Sequence, residues 1–227
     1  MNKILSTGSN IINNLLNGGY ETDIITTVYG PAASGKTLLC LLSAVEVARA
    51  NKKVIYIDTE GGFSVERLKQ VAQDYEKIVN NIVFFRPTNF KEQKGAFEKL
   101  KDAINDNVGL IIVDSIGMLY RIELGKSKDV YDVNKDLGLQ ISFLTEIARK
   151  KNIPILITNH VYADFDNKNN VKMVGGDLLK YGSKCLIELK KMHTDKRAAI
   201  VKRHRSIEPE RNVLFRIVEK GIDKSND

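Results

Sequence analysis

The segment Gly30–Thr37 (GPAASGKT) constrains the fold of this chain more than any other feature. It matches G-x-x-x-x-G-K-[S/T] and lies between a strand-like run, 24–29, and a helical pattern that begins near Lys36. Glycines in such a turn let backbone N–H groups converge on phosphate, and the helix N-terminus adds its partial positive charge. The segment therefore predicts a phosphate-binding loop that holds a nucleotide through Gly30, Pro31, Ala32, Ala33, Ser34, Gly35, Lys36 and Thr37.

A loop of this kind usually binds ATP together with Mg²⁺, which are the two cofactors that we expect. Lys36 is predicted to reach the β- and γ-phosphates, and the Thr37 hydroxyl to ligate the metal. Asp114 ends the apolar run LIIVD, and ligands bind at the carboxyl ends of strands in open α/β sheets. An acid at a strand end is also a common turn former, but beside a phosphate loop we interpret Asp114 as the metal-side carboxylate.

Hydrolysis needs a group that orients or deprotonates water. The run VIYIDTEGG places Asp58 and Glu60 at the end of a second strand. Glu60 is the candidate base because Asp58 still falls within the strand. The alternative is that Glu60 only caps the turn at 61–62.

The distribution of apolar runs predicts an α/β fold with a mostly parallel, twisted sheet and helices on both faces. Near-continuous hydrophobic runs are typical of strands that are buried on both faces, and helical patterns lie between them. The predicted strands are 25–29, 54–58, 82–86, 110–114 and 155–158, and predicted helices include 36–50, 90–104 and 130–150. After Gly182 short strands follow without helices, which predicts an antiparallel C-terminal extension. No linker or repeat interrupts the chain, so we expect one domain over residues 1–227.

Charge is concentrated near the C-terminus. Residues 171–227 hold 14 Lys and Arg against 8 Asp and Glu, whereas the first 170 residues hold 21 against 20. A basic segment attracts polyanions such as nucleic acids. A solvated lysine-rich surface is an equally good interpretation of charge alone.

Cysteine usage and hydropathy bear on location. Cys40 and Cys185 lie in apolar or strand-like runs without CxxC spacing, which is typical of small buried side chains in a reducing compartment. No apolar run approaches the roughly 20 residues that a membrane span needs. The first residues are too polar for a signal peptide. We therefore expect a cytoplasmic protein that does not associate with a membrane.

Several segments in sequence order resemble the core of archaeal and eukaryotic RecA-type recombinases: residues 6–37, YIDTEGGFSVERL, LIIVDSIG, ITNHV, GGDLLKYGSKCLIELKK and FRIVEKGI. The resemblance covers nearly the whole chain and is closest to RadB, the short archaeal paralogues of the RadA recombinases. It implies a RecA-like ATPase core in which Glu60 is the catalytic glutamate and Arg67 stacks on adenine. Residues 161–176 match the family's second DNA-binding loop, with Lys168 and Lys172 as DNA contacts and Tyr162 and Phe165 as its aromatic residues.

The chain also departs from the recombinases. Its core begins near residue 6, so we expect neither an N-terminal helix-hairpin-helix domain nor the aromatic docking linker. The family's Gln after Thr-Asn is His160 here, and we include Lys36, Glu60 and His160 as catalytic candidates. A satisfied polar residue at a strand end is an equally good interpretation of His160. Arg203-His204-Arg205 replaces an acidic-and-proline cap and looks more like the trans-acting basic pair of KaiC-type ATPases. These arginines are expected to serve a neighbour's γ-phosphate or DNA, and a solvated loop is the remaining alternative.

The resemblance implies an ATP- and DNA-binding accessory protein of DNA repair and homologous recombination. It would have weak DNA-dependent ATPase activity, little strand exchange, and a regulating or loading role toward the main RadA-like recombinase. Expected DNA contacts, preferably with single strands, are Lys168, Lys172, Lys184, Arg203 and Arg205, and a junction-processing nuclease is a further expected partner. We expect a monomer or small homo-oligomer. The alternative is an active oligomeric RecA/KaiC-like ATPase with DNA-stimulated turnover.

Overall fold

The computed structural model describes residues 4–163, 171–193 and 195–224. Its centre is a nine-stranded sheet with the order β13-β12-β11-β10-β3-β7-β6-β4-β5. The strands are β3 (Ile25–Tyr29), β4 (Lys53–Asp58), β5 (Ile82–Phe85), β6 (Val108–Asp114), β7 (Ile155–Asn159), β10 (Cys185–Lys191), β11 (Lys196–Arg203), β12 (Asn212–Val218) and β13 (Gly221–Lys224). Two small two-stranded sheets add β1 (Ile4–Leu5) with β2 (Tyr20–Glu21), and β8 (Val161–Ala163) with β9 (Val171–Met173).

Strand direction divides the central sheet into two parts. Strands β10, β3, β7, β6, β4 and β5 run parallel, whereas β11, β12 and β13 continue from β10 as an antiparallel meander. The parallel strands β3 and β7 are buried at every position, as their apolar and β-branched runs predict. The predicted antiparallel extension is confirmed.

Eight helices are described: α1 (Asn10–Leu15), α2 (Lys36–Arg49), α3 (Val65–Val71), α4 (Tyr75–Val79), α5 (Phe90–Ala103), α6 (Gly117–Lys126), α7 (Val130–Lys151) and α8 (Gly176–Gly182). They cover both faces of the sheet. One core packs α1, α2, α3 and α4 on alternate strand residues such as Val54, Tyr56 and Ile112. The other packs α5, α6, α7 and α8 on their neighbours, such as Ile55 and Ile111. The alternation of buried residues along each strand confirms the two-sided α/β arrangement.

Within the described ranges, none of the helices is both long enough and apolar enough to span a bilayer. Cys40 and Cys185 are buried free thiols, and burial raises the pKa of both. They pack as small apolar side chains, as their sequence context predicts.

Candidate functional site

The predicted nucleotide-binding residues come together because four neighbouring strands end at one edge of the sheet. In the order β3-β7-β6-β4, these strands end at Tyr29, Asn159, Asp114 and Asp58. The phosphate-binding loop follows β3 directly, and α2 begins at Lys36. Groups that lie more than a hundred residues apart in sequence therefore face one space.

The loop's glycines allow a turn that other residues would not. A Cβ placed on Gly30 would lie 2.4 Å from the backbone oxygen of Leu189 in β10. Gly35, at the N-cap of α2, has a φ of +107°, a region that favours glycine. The Ser34 hydroxyl is buried and has no hydrogen-bond partner among the described residues. A cradle with an unpaired donor at a helix N-terminus fits a phosphate group.

Lys36 is held inside this loop. Its side chain is buried, and Nζ donates to the backbone oxygens of Gly30 at 3.0 Å and Pro31 at 2.9 Å. Burial lowers the pKa of Lys36, while the nearby carboxylates of Glu60 and Asp114 oppose that shift. The ammonium group therefore lies at the loop, with acidic groups on its other side.

Asp114 is buried beside Thr37 and accepts two hydrogen bonds. Thr158 Oγ1 donates to Oδ1 at 2.5 Å, and the Tyr56 hydroxyl donates to Oδ2 at 2.9 Å. Burial raises the pKa of Asp114, and the hydroxyls of Thr158, Thr37 and Tyr56 oppose that shift. The Asp114 carboxylate and the Thr37 hydroxyl are hard oxygen ligands of the kind that Mg²⁺ prefers, so the donor set fits this metal.

Glu60 lies at the end of β4 and points to β6 and β7. Its Oε1 receives a hydrogen bond from Ser115 Oγ and contacts His160 Nε2 at 2.7 Å. Burial alone would raise the pKa of Glu60, but the bonds from His160 and Ser115 and the charge of Lys36 lower it overall. The carboxylate is therefore kept ionised and in one orientation.

The turn that carries Glu60 is held by Asp58. Its Oδ1 accepts from the Gly62 backbone N–H at 3.0 Å, and its Oδ2 accepts from that of Phe63 at 3.2 Å. The alternative interpretation of Glu60 was that it only caps the turn at 61–62. In the structure Asp58 stabilises that turn. The Glu60 side chain is directed instead at Ser115 and His160.

Ser115 is a site residue that the sequence analysis missed. It follows Asp114 directly, and its backbone N–H donates to the Thr59 hydroxyl oxygen at 3.0 Å. A polar residue immediately after a strand-ending acid was the available signal. What was missing is the pairing of β4 with β6, which brings Ser115 to Glu60.

The end of β7 connects His160 with the hairpin formed by β8 and β9. Asn159 is fully buried, and its Nδ2 donates to the backbone oxygen of Val174 at 2.7 Å. Val174 N–H donates in turn to the backbone oxygen of His160 at 3.0 Å. The residue that contacts Glu60 and the base of the hairpin therefore share one hydrogen-bonded unit.

Arg67 lies in α3, at the outer side of the site. Its guanidinium donates to the backbone oxygens of Val218 at 2.6 Å and Glu219 at 3.0 Å, which join α3 to the turn after β12. Stacking of Arg67 on adenine stays a prediction.

The chain was compared with protein families, with characterised proteins and with solved structures, and all three comparisons point to one family. The Rad51 family model matches residues 2–225. The DNA repair and recombination protein RadB of Methanobrevibacter smithii is 45% identical over 93% of this chain and 92% of its own length. That of Methanocaldococcus jannaschii is 41% identical over 94% and 99%. A crystal structure of the RadB recombinase superposes with a TM-score of 0.84 at 37% identity and covers 98% of this chain and 100% of that one.

The chain belongs to the Rad51 family and, within it, to the RadB proteins. The predicted family and the RecA-like fold are confirmed. ATP and DNA binding are expected of the family, and the role of each site residue stays a prediction.

The hairpin formed by β8 and β9 borders one of the clefts where the DNA-contact candidates lie. This hairpin cleft has a volume of about 520 Å³ and is lined by Tyr162, Lys172, Lys180, Lys202 and Arg203 among others. Lys172 pairs with Tyr162 across the hairpin. Lys168 and Phe165 lie outside the described residues.

The structure separates the remaining basic candidates. Arg205 is held by acids of its own chain: it makes two bonds to Asp23, at 3.0 and 2.6 Å, and its Nε donates to Glu21 at 2.8 Å. Arg203 Nη1 donates to the backbone oxygen of Lys180 at 2.6 Å. Lys184 is exposed at the start of β10. The three predicted contacts are therefore not equivalent, because only Arg205 is already neutralised.

Proposed function

We propose that this protein binds ATP with Mg²⁺ and DNA, hydrolyses ATP slowly, and regulates or loads the main recombinase in DNA repair and homologous recombination. The observation that carries the proposal is the Glu60 carboxylate, which contacts His160 and Ser115 beside the predicted phosphate loop. Membership of the RadB proteins supports the role in repair and recombination.

The loop residues, Lys36, Thr37 and Asp114 would hold the nucleotide and its metal. When bound, ATP supplies the phosphoryl group and Mg²⁺ neutralises the charge that develops on it. Lys36 would move from the Gly30 and Pro31 oxygens toward the β- and γ-phosphates. Thr37 and Asp114 would hold the metal, directly and through water.

Glu60 would act as the base, and its surroundings explain a slow reaction. Both side-chain bonds end on Oε1, and Oε2 accepts none from the residues that the structure describes. Oε2 is thus the atom that would take a proton from water. Because the pKa of Glu60 is lowered, the carboxylate is a weaker base than one whose pKa is near neutrality, and proton transfer has less driving force.

A surface at the edge strand β5 suits the proposed recombinase partner. Within the described sheet, β5 pairs only with β4, and Val83 on β5 is 40% exposed. A cleft of about 540 Å³ beside it is lined by Phe85, Ala96 and Lys99 among others. An exposed strand edge is a common docking site for an extended segment of another protein. We assign the main recombinase to this face, and a junction-processing nuclease is a further proposed partner.

The alternative function is an active, oligomeric RecA/KaiC-like ATPase, and the complete set of phosphate-site groups favours it. ATP turnover with and without single-stranded DNA, combined with light scattering for mass, separates the two. We expect slow turnover by a monomer or small oligomer and negligible strand exchange by the protein alone. Fast, DNA-stimulated turnover by a large assembly would establish the alternative.

A further inference from the structure

A second basic cleft lies at the pole of the sheet opposite the phosphate loop. It has a volume of about 690 Å³ and adjoins Ile25 at the amino end of β3, whereas the phosphate loop follows the carboxyl end of the same strand. We call it the α7 cleft. Its charged lining residues are Asp23, Arg149, Lys184, Arg203 and Arg205.

Within the α7 cleft three cations remain for an external anion. Arg205 is neutralised by Asp23 and Glu21. Arg149, Lys184 and Arg203 form no ion pair with any residue of the described ranges. Arg149 comes from α7, and the charge count of the C-terminal segment gave no reason to include it.

Arg203 joins the two basic clefts. It lines both the hairpin cleft and the α7 cleft, and its guanidinium donates to the backbone oxygen of Lys180. That bond orients the guanidinium in advance, so less side-chain freedom is lost when it binds an anion. A continuous basic path favours a ligand that carries phosphates at regular intervals over a single small anion.

We propose that the α7 cleft binds the phosphodiester backbone of a polynucleotide that leaves the hairpin cleft over Arg203. Arg149 is the new contact, and it acts beside Lys184. This inference rests on the proposed DNA binding. It extends the DNA path to the side of the protein away from the ATP site. A short strand fills the hairpin cleft only, and a longer strand reaches both clefts.

The test uses the full chain and two single-stranded oligonucleotides, of about 6 and about 18 nucleotides. The first length lies near the lower end of typical single-strand site sizes, and the second exceeds their upper end. The variant is Arg149→Glu with Lys184→Glu, two exposed positions at which folding should persist, as circular dichroism would check. The matched control is Lys52→Glu with Lys77→Glu, which changes the charge equally. Lys52 precedes β4, three strands from β3, and Lys77 lies in α4, on the opposite face from α7.

We expect the variant to bind the long strand at least about tenfold more weakly than wild type, because two charge-assisted contacts are lost. Its slope of log K against log salt should become shallower by about 1.4, or 0.7 per lost phosphate contact. Affinity for the short strand should change no more than in the control.

Other outcomes overturn the inference in distinguishable ways. Equal long-strand affinity for the variant and the wild type would show that the α7 cleft does not contact the strand. The proposed DNA binding would be unaffected. If the control variant loses as much affinity for the long strand, the loss would come from the net charge of the protein and not from contacts in the α7 cleft. If the variant binds ATP more weakly but binds both strands like wild type, the α7 cleft would be a site for a nucleotide and not for a polynucleotide. Failure of the wild type to bind either strand would overturn the proposed DNA binding and the inference together.

Discussion

The nucleotide site and the basic C-terminal strands hold their charged groups in different ways. At the nucleotide site Lys36 is buried at the start of α2 and Asp114 at the end of β6, and Glu60 contacts two neighbours. On β10, β11 and β12 most charges lie at the surface, and several are paired within the chain: Lys202 with Glu188 and Glu210, Arg205 with Asp23 and Glu21, and Arg216 with Asp195. A sequence motif predicts the positions of individual side chains, whereas a count of charged residues predicts only the net charge of a segment.

The largest expected effect is at the nucleotide site. Glu60→Gln should lower single-turnover ATP hydrolysis by about a hundredfold, since it removes a general base while keeping a side chain of the same shape. ATP affinity should stay nearly unchanged because Glu60 makes no predicted phosphate contact. Glu66→Gln, an exposed carboxylate in α3, is the control. Hydrolysis at the wild-type rate would show that Glu60 is not the base.

Lys36→Ala should weaken ATP binding at least about tenfold, because a charge-assisted contact worth roughly 1.5–3 kcal/mol is lost. The same variant should bind DNA like wild type in the absence of nucleotide, which separates the two regions. Lys52→Ala, just beyond the far end of α2, is the matched control. Titration with ATP measures the effect, and circular dichroism checks the fold. An unchanged ATP affinity would contradict the phosphate-loop assignment.

A smaller effect is expected in the hairpin cleft. Lys172→Glu should lower single-stranded DNA affinity several-fold and about equally for different sequences, because phosphate contacts carry no sequence information. The salt slope should become shallower by about 0.7. Lys77→Glu in α4 is the control. A loss confined to one DNA sequence would indicate base recognition instead.

The smallest effect concerns the ion pairs of Arg205. Asp23→Asn should lower the free energy of unfolding by about 0.5–1 kcal/mol, the usual range for a partly exposed pair. The Arg205 hydrogen bond lowers the pKa of Asp23, so this stabilisation is present above the ordinary Asp pKa of 3.8 and is lost as pH falls through the folded-state value. Urea unfolding at neutral and acidic pH measures it.

The same pairs make a second comparison possible. Arg205→Ala should reduce DNA affinity less than Lys172→Glu does, because Asp23 and Glu21 already neutralise the guanidinium. Equal losses of DNA affinity would mean that Arg205 leaves its ion pairs to contact DNA.

Much of the fold was predictable because its parallel strands are near-continuous apolar and β-branched runs. The prediction for β3 agrees with the structure at both ends, and those for β4, β6 and β7 differ by at most two residues. The neighbours of each strand were not predictable. The position of β7 between β3 and β6 depends on how the connections between parallel strands pack on the sheet. No local sequence pattern encodes that packing.

The candidate site shows the same division. Lys36, Thr37, Asp114 and Glu60 were predicted from motifs, since each lies in or directly after a recognisable strand or turn. The contact of Ser115 with Glu60 joins residues 55 apart, and that of Glu60 with His160 joins residues 100 apart. Such contacts follow from strand order rather than from spacing along the chain.

The amino-acid sequence by itself determined the phosphate loop, the alternation of strands and helices, and the excess of positive charge near the C-terminus. These are properties of consecutive residues or of composition. Only the tertiary structure decided which basic groups face a cleft and which are neutralised. Arg205 meets Asp23 across 182 residues, and Arg149 of α7 joins Lys184 and Arg203 in one cleft. The physical reason is that charges act through distance in space, and the folded chain alone sets that distance.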